Sequence, residues 1–117
     1  MNILIVEDNE QMRRTVKSLV KDLVALVFEC DDGASALSAY TQHRPDWVLM
    51  DIDLPEIDGI SATRQIVAAY PEARVMIVTN YDDAYLREAA RLAGACEYVF
   101  KKDLIEIRRI LAAYKFS

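Results

Sequence analysis

Four short apolar runs, each closed by a polar or charged residue, constrain this chain more than anything else in it. They are Ile3-Leu4-Ile5-Val6 before Glu7-Asp8, Trp47-Val48-Leu49-Met50 before Asp51, Val75-Met76-Ile77-Val78 before Thr79, and Tyr98-Val99-Phe100 before Lys101. Runs this short are too brief for buried helices, and their unbroken apolarity suits strands covered on both faces of a parallel sheet. Helix-period segments lie between them. The pattern predicts strands over 2–6, 25–30, 46–51, 74–79 and 97–100, and helices over about 10–23, 34–42, 60–70, 82–93 and 104–114.

The punctuation supports these spans. Asn9 can cap the first helix, whose apolar stripe is Met12, Val16, Leu19, Val20 and Leu23. Asp31-Asp32-Gly33 makes a turn, Pro45 and Pro71 stop elements, and Gly94 suits a left-handed cap. Five β-α units with right-handed crossovers give an α/β fold, a doubly wound parallel five-stranded sheet with helices on both faces. The second strand carries Glu29 and suits an edge. The methionines, Trp47 and Phe28 read as core, and His43 as an exposed turn residue.

Length and composition bound the function. A chain of 117 residues, 53% apolar and 28% charged, reads as one globular domain over 1–117. Net charge is −5 without a dense Lys/Arg run, which argues against a general nucleic-acid surface. No stretch approaches the roughly 20 apolar residues of a membrane span. The N-terminus runs directly into a strand rather than a signal peptide, so the expected compartment is the cytoplasm.

Parallel strands bring Glu7, Asp8, Asp51, Thr79 and Lys101 to one carboxyl edge, where open α/β sheets hold ligands. Alone, each reads as a turn, cap or surface residue; together they describe a site. Clustered carboxylates raise one another's pKa, and a divalent cation removes that penalty. Mg²⁺ (or Mn²⁺) suits such hard oxygens, with Asp8 and Asp51 as direct ligands and Glu7 reaching the metal through water. Asp51 then serves as a nucleophile that forms an acyl phosphate. Lys101 neutralises phosphoryl charge, and the Thr79 hydroxyl donates to a phosphoryl oxygen. On this reading the chain is no enzyme with a separate substrate; it takes part in its own phosphorylation and dephosphorylation.

Leu4-Ile5-Val6-Glu7-Asp8-Asn9, Leu49-Met50-Asp51-Ile52-Asp53-Leu54-Pro55 with Asp58-Gly59, Val78-Thr79-Asn80 and Tyr98-Val99-Phe100-Lys101 together resemble the receiver domain of two-component response regulators, over residues 2–115. The resemblance implies a flavodoxin-like sheet in order 2-1-3-4-5 and a sensor histidine kinase as phosphoryl donor. In that order Cys30 and Cys96, which lack metal or redox spacing, fall on opposite edges and form no disulfide. The resemblance also implies the Asp53 backbone carbonyl as a third metal ligand and Tyr98 as a rotameric switch that turns toward the core when Thr79 is drawn inward. The changing face would cover 82–114, where Arg87, Arg91 and Glu106 meet a partner or a second copy of the chain in a homodimer. Asn80 and Tyr81, with Asp53, would tune phosphoryl lifetime.

One departure stands at Lys102, where many receivers carry a proline. It puts the shape of the following loop in question, not the chemistry of Lys101. The segments 79–81 and 101–103 look most like regulators with a C-terminal helix-turn-helix DNA-binding output domain, which would lie outside this chain; a single-domain regulator is the other form. Three other readings compete. A haloacid-dehalogenase phosphohydrolase would carry Asp51-Ile52-Asp53 on its first strand, and a flavin module would need a phosphate loop where Glu7-Asp8-Asn9 stands. A degenerate receiver serving as a dimerisation scaffold would lack one of the five residues.

Overall fold

The computed structural model describes residues 1–116. Strands β1 (Asn2–Val6), β2 (Leu26–Cys30), β3 (Trp47–Met50), β4 (Val75–Thr79) and β5 (Glu97–Phe100) alternate with helices α1 (Glu10–Val20), α2 (Ala36–His43), α3 (Gly59–Ala69), α4 (Ala84–Ala93) and α5 (Ile105–Lys115). All pairings are parallel, in the order β2-β1-β3-β4-β5. This is the flavodoxin-like arrangement. The chain reverses its winding direction between β1 and β3, so their carboxyl ends open onto the crevice of a topological switch point.

The pleat divides the apolar runs between two layers. Leu4, Val6, Val48, Met50, Val75 and Ile77 face α2, α3 and α4. Ile3, Ile5, Leu49, Met76, Val78 and Val99 face α1 and α5. β3 and β4 are buried throughout, while β2 has no fully buried residue, as suits an edge strand. No described helix is long and apolar enough to cross a membrane.

Element ends differ from the sequence expectation for local reasons. α1 stops at Val20 rather than near Leu23, because the Leu23 amide turns back to the Val20 carbonyl. Arg108 and Lys115 of α5 then donate to the Leu19 and Leu23 carbonyls at 2.7 and 3.0 Å, replacing the lost helical partners. α2 begins two residues late, because the Asp32 carboxylate takes the Ser35 amide at 2.7 Å and holds a turn there. α4 starts at Ala84, where Asp83 caps the Leu86 amide at 3.0 Å. The remaining ends differ by one residue, within the fraying of any terminus.

Several expected placements are corrected. Phe28, Met1 and Met12 are half-buried rather than core, and His43 is not simply exposed. The two rings stack, with centroids 3.9 Å apart and planes inclined by 10°, so the imidazole covers the edge-strand aromatic. At the Lys101-Lys102 departure the peptide is trans, since no cis bond occurs among the described residues. Lys101–Asp103 instead form one 3-10 turn into α5. Cys30 and Cys96 are both free.

Candidate functional site

The acidic edge is built by continuing the strand ladders. The Glu7 amide bonds the Cys30 carbonyl and the Asp51 amide bonds the Val6 carbonyl, each at 3.0 Å. The backbones at Glu7 and Asp51 are thereby fixed side by side, one residue beyond β1 and β3. Oxygens of Glu7, Asp8 and Asp51 lie within 4.8 Å of one another. Glu7 is 4% and Asp51 6% exposed, while Asp8 opens to solvent. Lys101 enters from the end of β5. Its Nζ donates to Glu7 Oε1 at 2.6 Å and stands 3.4 Å from Asp51 Oδ1.

Burial and charge divide the carboxylates. Burial pushes the Asp51 carboxyl up, the Glu7 carboxylate beside it adds to this, and Lys101 only partly opposes them, so Asp51 titrates at about 7. Burial also pushes Glu7 up, but its hydrogen bonds to Lys101 and Asp51 outweigh that and hold it below the ordinary range. Burial lowers Lys101, and its hydrogen bond to Glu7 with the Asp51 charge more than restores it. At rest the ammonium belongs chiefly to Glu7, leaving Asp51 the less compensated of the two buried carboxyls. A donor set of three clustered carboxylate oxygens, one of them held up by the others, fits a hard divalent cation.

The fourth strand adds a second group of contacts around Tyr81. Thr79 is wholly buried, and its Oγ1 accepts from the Tyr81 amide at 3.2 Å. The Tyr81 carbonyl accepts from the Tyr98 hydroxyl at 2.9 Å, and the Tyr81 hydroxyl donates to Asp53 Oδ2 at 2.6 Å. That bond to Asp53 keeps the Tyr81 phenol protonated beyond its ordinary range. One residue thus joins the Asp53 loop, the hydroxyl of Thr79 and the ring of Tyr98. Tyr98 is half-buried and packs against the core layer shared with α3 and α4. Arg87 is exposed, as expected, and its guanidinium lies 4.7 and 5.3 Å from the ring centres of Tyr98 and Phe100. Arg91 pairs with Glu88, and Glu106 with Arg109.

The structure brings Glu7, Asp8, Asp51, Thr79 and Lys101 to one edge as the sequence predicts, with Asp53 and Tyr98 reached through Tyr81. Sequence reasoning gave no role to Arg13, whose guanidinium bonds the Glu7 carbonyl at 2.7 Å. It also passed over the close fit of Gly59, where a Cβ would lie 1.8 Å from the Asp51 carbonyl oxygen. Only the Asp58-Gly59 pair hinted at the latter, and nothing in the pattern hinted at the former.

Residues 3–114 match the family model described as the response regulator receiver domain. The chain is 38% identical over 100 residues to the chemotaxis protein CheY of Bacillus subtilis, covering 85% of this chain and 83% of that protein. It is 29% identical over 118 residues to the transcriptional regulatory protein DegU of Brevibacillus brevis, covering 96% of this chain and spanning 50% of that protein's length. A LuxR-family two-component response regulator from Aurantimonas sp. SI85-9A1 superposes with a TM-score of 0.84 at 32% identity, over 96% of this chain and 85% of that one.

Proposed function

The chain belongs to the response regulator receiver domain family, and we propose that it is the phosphoacceptor switch of a two-component system, taking a phosphoryl group from a sensor histidine kinase onto Asp51. The observation that carries this reading is the position of Asp51: buried, at the end of the central strand, beside both the Lys101 ammonium and the Glu7-Asp8 pair. An Asp51 carboxylate oxygen attacks the phosphorus of the donor phosphohistidine. A P–O bond forms, the P–N bond breaks, and its electron pair stays on the leaving imidazole, which takes up a proton. Lys101, 3.4 Å from Asp51 Oδ1, then donates to a phosphoryl oxygen, and the Thr79 hydroxyl swings to a second. Mg²⁺ (or Mn²⁺), held by Asp8, Asp51 and the Asp53 carbonyl with Glu7 through water, would supply the remaining charge neutralisation.

The switch follows from Tyr81. Its amide now rests on Thr79 Oγ1, and its carbonyl on the Tyr98 hydroxyl. Drawing the Thr79 hydroxyl to the phosphoryl group takes that acceptor from Tyr81 and moves the loop on which Tyr98 rests. The phosphoryl group favours one loop state by this differential contact. The readout face is α4, β5 and α5, offered in the cytoplasm to a second copy of the chain or to a C-terminal DNA-binding output domain. The receiver itself contacts neither nucleic acid nor membrane.

Incubation with acetyl phosphate and Mg²⁺ tests the reading by intact mass. One acid-labile phosphoryl adduct is expected, and none after chelation of the divalent ion. A chain that gains no adduct under either condition is a scaffold and not a phosphoacceptor.

A narrower expectation concerns Tyr81→Phe. The lost hydroxyl frees the Asp53 loop from the loop after β4, two segments that flank the mouth of the site, and water reaches the acyl phosphate more easily. Decay of the adduct should therefore quicken, followed as loss of the mass adduct over time. Unchanged decay would mean that the Tyr81–Asp53 bridge covers nothing.

A further inference from the structure

The geometry points to Arg13 as a positioning residue for Asp8, a role that rests on the divalent-cation reading of the acidic cluster. Asp8 is the exposed member of that cluster, and its carboxylate has no hydrogen-bond partner among the described residues. Its place is therefore set by its backbone. Arg13 holds that backbone on both sides. Its Nη1 donates to the Glu7 carbonyl at 2.7 Å, and its amide donates to the Asn9 carbonyl at 3.0 Å. The second bond is the ordinary first bond of α1. The first is additional, reaching back from the helix to the peptide that carries Asp8.

The guanidinium is itself held. Its Nε pairs with Glu29 Oε1 on β2 at 3.3 Å, and the side chain is 18% exposed. The Glu7 amide is fixed to the Cys30 carbonyl, so Glu7 is gripped from β2 at its amide and from α1 at its carbonyl, the peptide that leads into Asp8. Without the Nη1 bond the Glu7 carbonyl loses its partner, and the peptide plane can rotate. That rotation swings the Asp8 carboxylate relative to Asp51. Mg²⁺ demands ligand distances of about 2.0–2.1 Å in near-ideal octahedral geometry, so a displacement well under an ångström is felt. Groups that orient metal ligands typically carry about 10–100-fold in affinity.

Calorimetric titration of Mg²⁺ into the metal-free full chain tests this, alongside amide hydrogen exchange at Asp8 and Asn9 without metal. Arg13→Met keeps the apolar stem and should weaken Mg²⁺ binding by about tenfold, with faster exchange at both amides. Arg13→Lys still offers one donor to the Glu7 carbonyl and should regain most of the loss. Glu29→Gln loosens the hold on the guanidinium but leaves the carbonyl bond, and should lose clearly less Mg²⁺ affinity than Arg13→Met. If Arg13→Met does not fold, Arg13→Gln, whose amide stops short of the carbonyl, carries the same expectation. Parental affinity in Arg13→Met, or an equal loss in Glu29→Gln, overturns the positioning role while the metal site stands. Parental affinity in Asp8→Ala overturns the metal reading, and this inference with it.

Discussion

Asp51→Asn should accept no phosphoryl group and yet be the more stable protein at pH 8 without metal. The first effect follows from the lost nucleophile. The second follows from the site's electrostatics. The folded Asp51 carboxyl titrates at about 7 against an ordinary value of 3.8, chiefly because it is buried beside Glu7. An acid held up in the folded state contributes stability in full below its unfolded pKa, and this is lost as pH rises through the folded one. The contribution therefore declines between pH 4 and 7 and is gone at pH 8. Asparagine stays neutral, accepts from Lys101 with its oxygen and donates to Glu7 with its amide. The ceiling on the gain is about 4 kcal/mol, the free energy of holding a carboxyl from 3.8 up to about 7. Thermal unfolding in chelator should show Asp51→Asn several degrees above the parent at pH 8, with the gap closing toward pH 5. Mg²⁺ should raise the parent and leave the variant almost unmoved, because the ion binds only the folded acidic site. Its affinity for the parent should fall below pH 7, where a proton competes for Asp51. A persistent acyl phosphate in Asp51→Asn would remove the acceptor assignment. A variant no more stable than the parent at pH 8 would mean that Asp51 bears no repulsion from Glu7.

The sequence made the sheet legible because burial on both faces leaves a mark in the chain. Runs such as Val75–Val78 have no polar face to be confused with a helix, and each run's polar terminator sits where the edge emerges. β1 falls on its expected residues for that reason. Helix starts were less legible, because several residues compete to cap. The pattern starts the fourth helix near 82, and the structure starts it at Ala84, with Asp83 taking the Leu86 amide. The site's membership was readable from position along the strands, but its pairing was not. That Lys101 sits 2.6 Å from Glu7 and 3.4 Å from Asp51 depends on side-chain torsions and burial, which no spacing encodes. The same holds for Tyr81, an aromatic in a variable loop whose amide, carbonyl and hydroxyl each meet a different functional residue. Arg13 was invisible because a helical arginine reads as a solvated face until its reach back to β1 is seen.

Gly59→Ala should cost more at the site than in the fold. An added Cβ would stand 1.8 Å from the Asp51 carbonyl oxygen, 2.7 Å from its carbonyl carbon and 3.0 Å from the Ile52 Cα. All three are backbone atoms, so no flexible side chain can move aside. The start of α3 cannot retreat freely either. The Gly59 amide bonds the Ile52 carbonyl at 2.9 Å, Asp58 caps the Ser61 amide at 2.9 Å, and Thr63 Oγ1 donates to the Gly59 carbonyl at 2.7 Å. Forcing a methyl into such a contact costs roughly 1–3 kcal/mol. The atoms that yield are those of Asp51 itself, and a misplacement of about 1 Å in a reacting group can cost about a hundredfold in rate. Gly33→Ala is the matched comparison, since its Cβ would stand 1.7 Å from the Ile57 carbonyl oxygen, an equal clash on the loop before α3 instead of at the acceptor. Both variants should unfold at lower temperature by similar amounts. At a temperature where circular dichroism shows both folded, phosphoryl uptake from acetyl phosphate should fall far more in Gly59→Ala than in Gly33→Ala. Equal rates in the two variants would mean that α3 yields as a whole and the acceptor keeps its place.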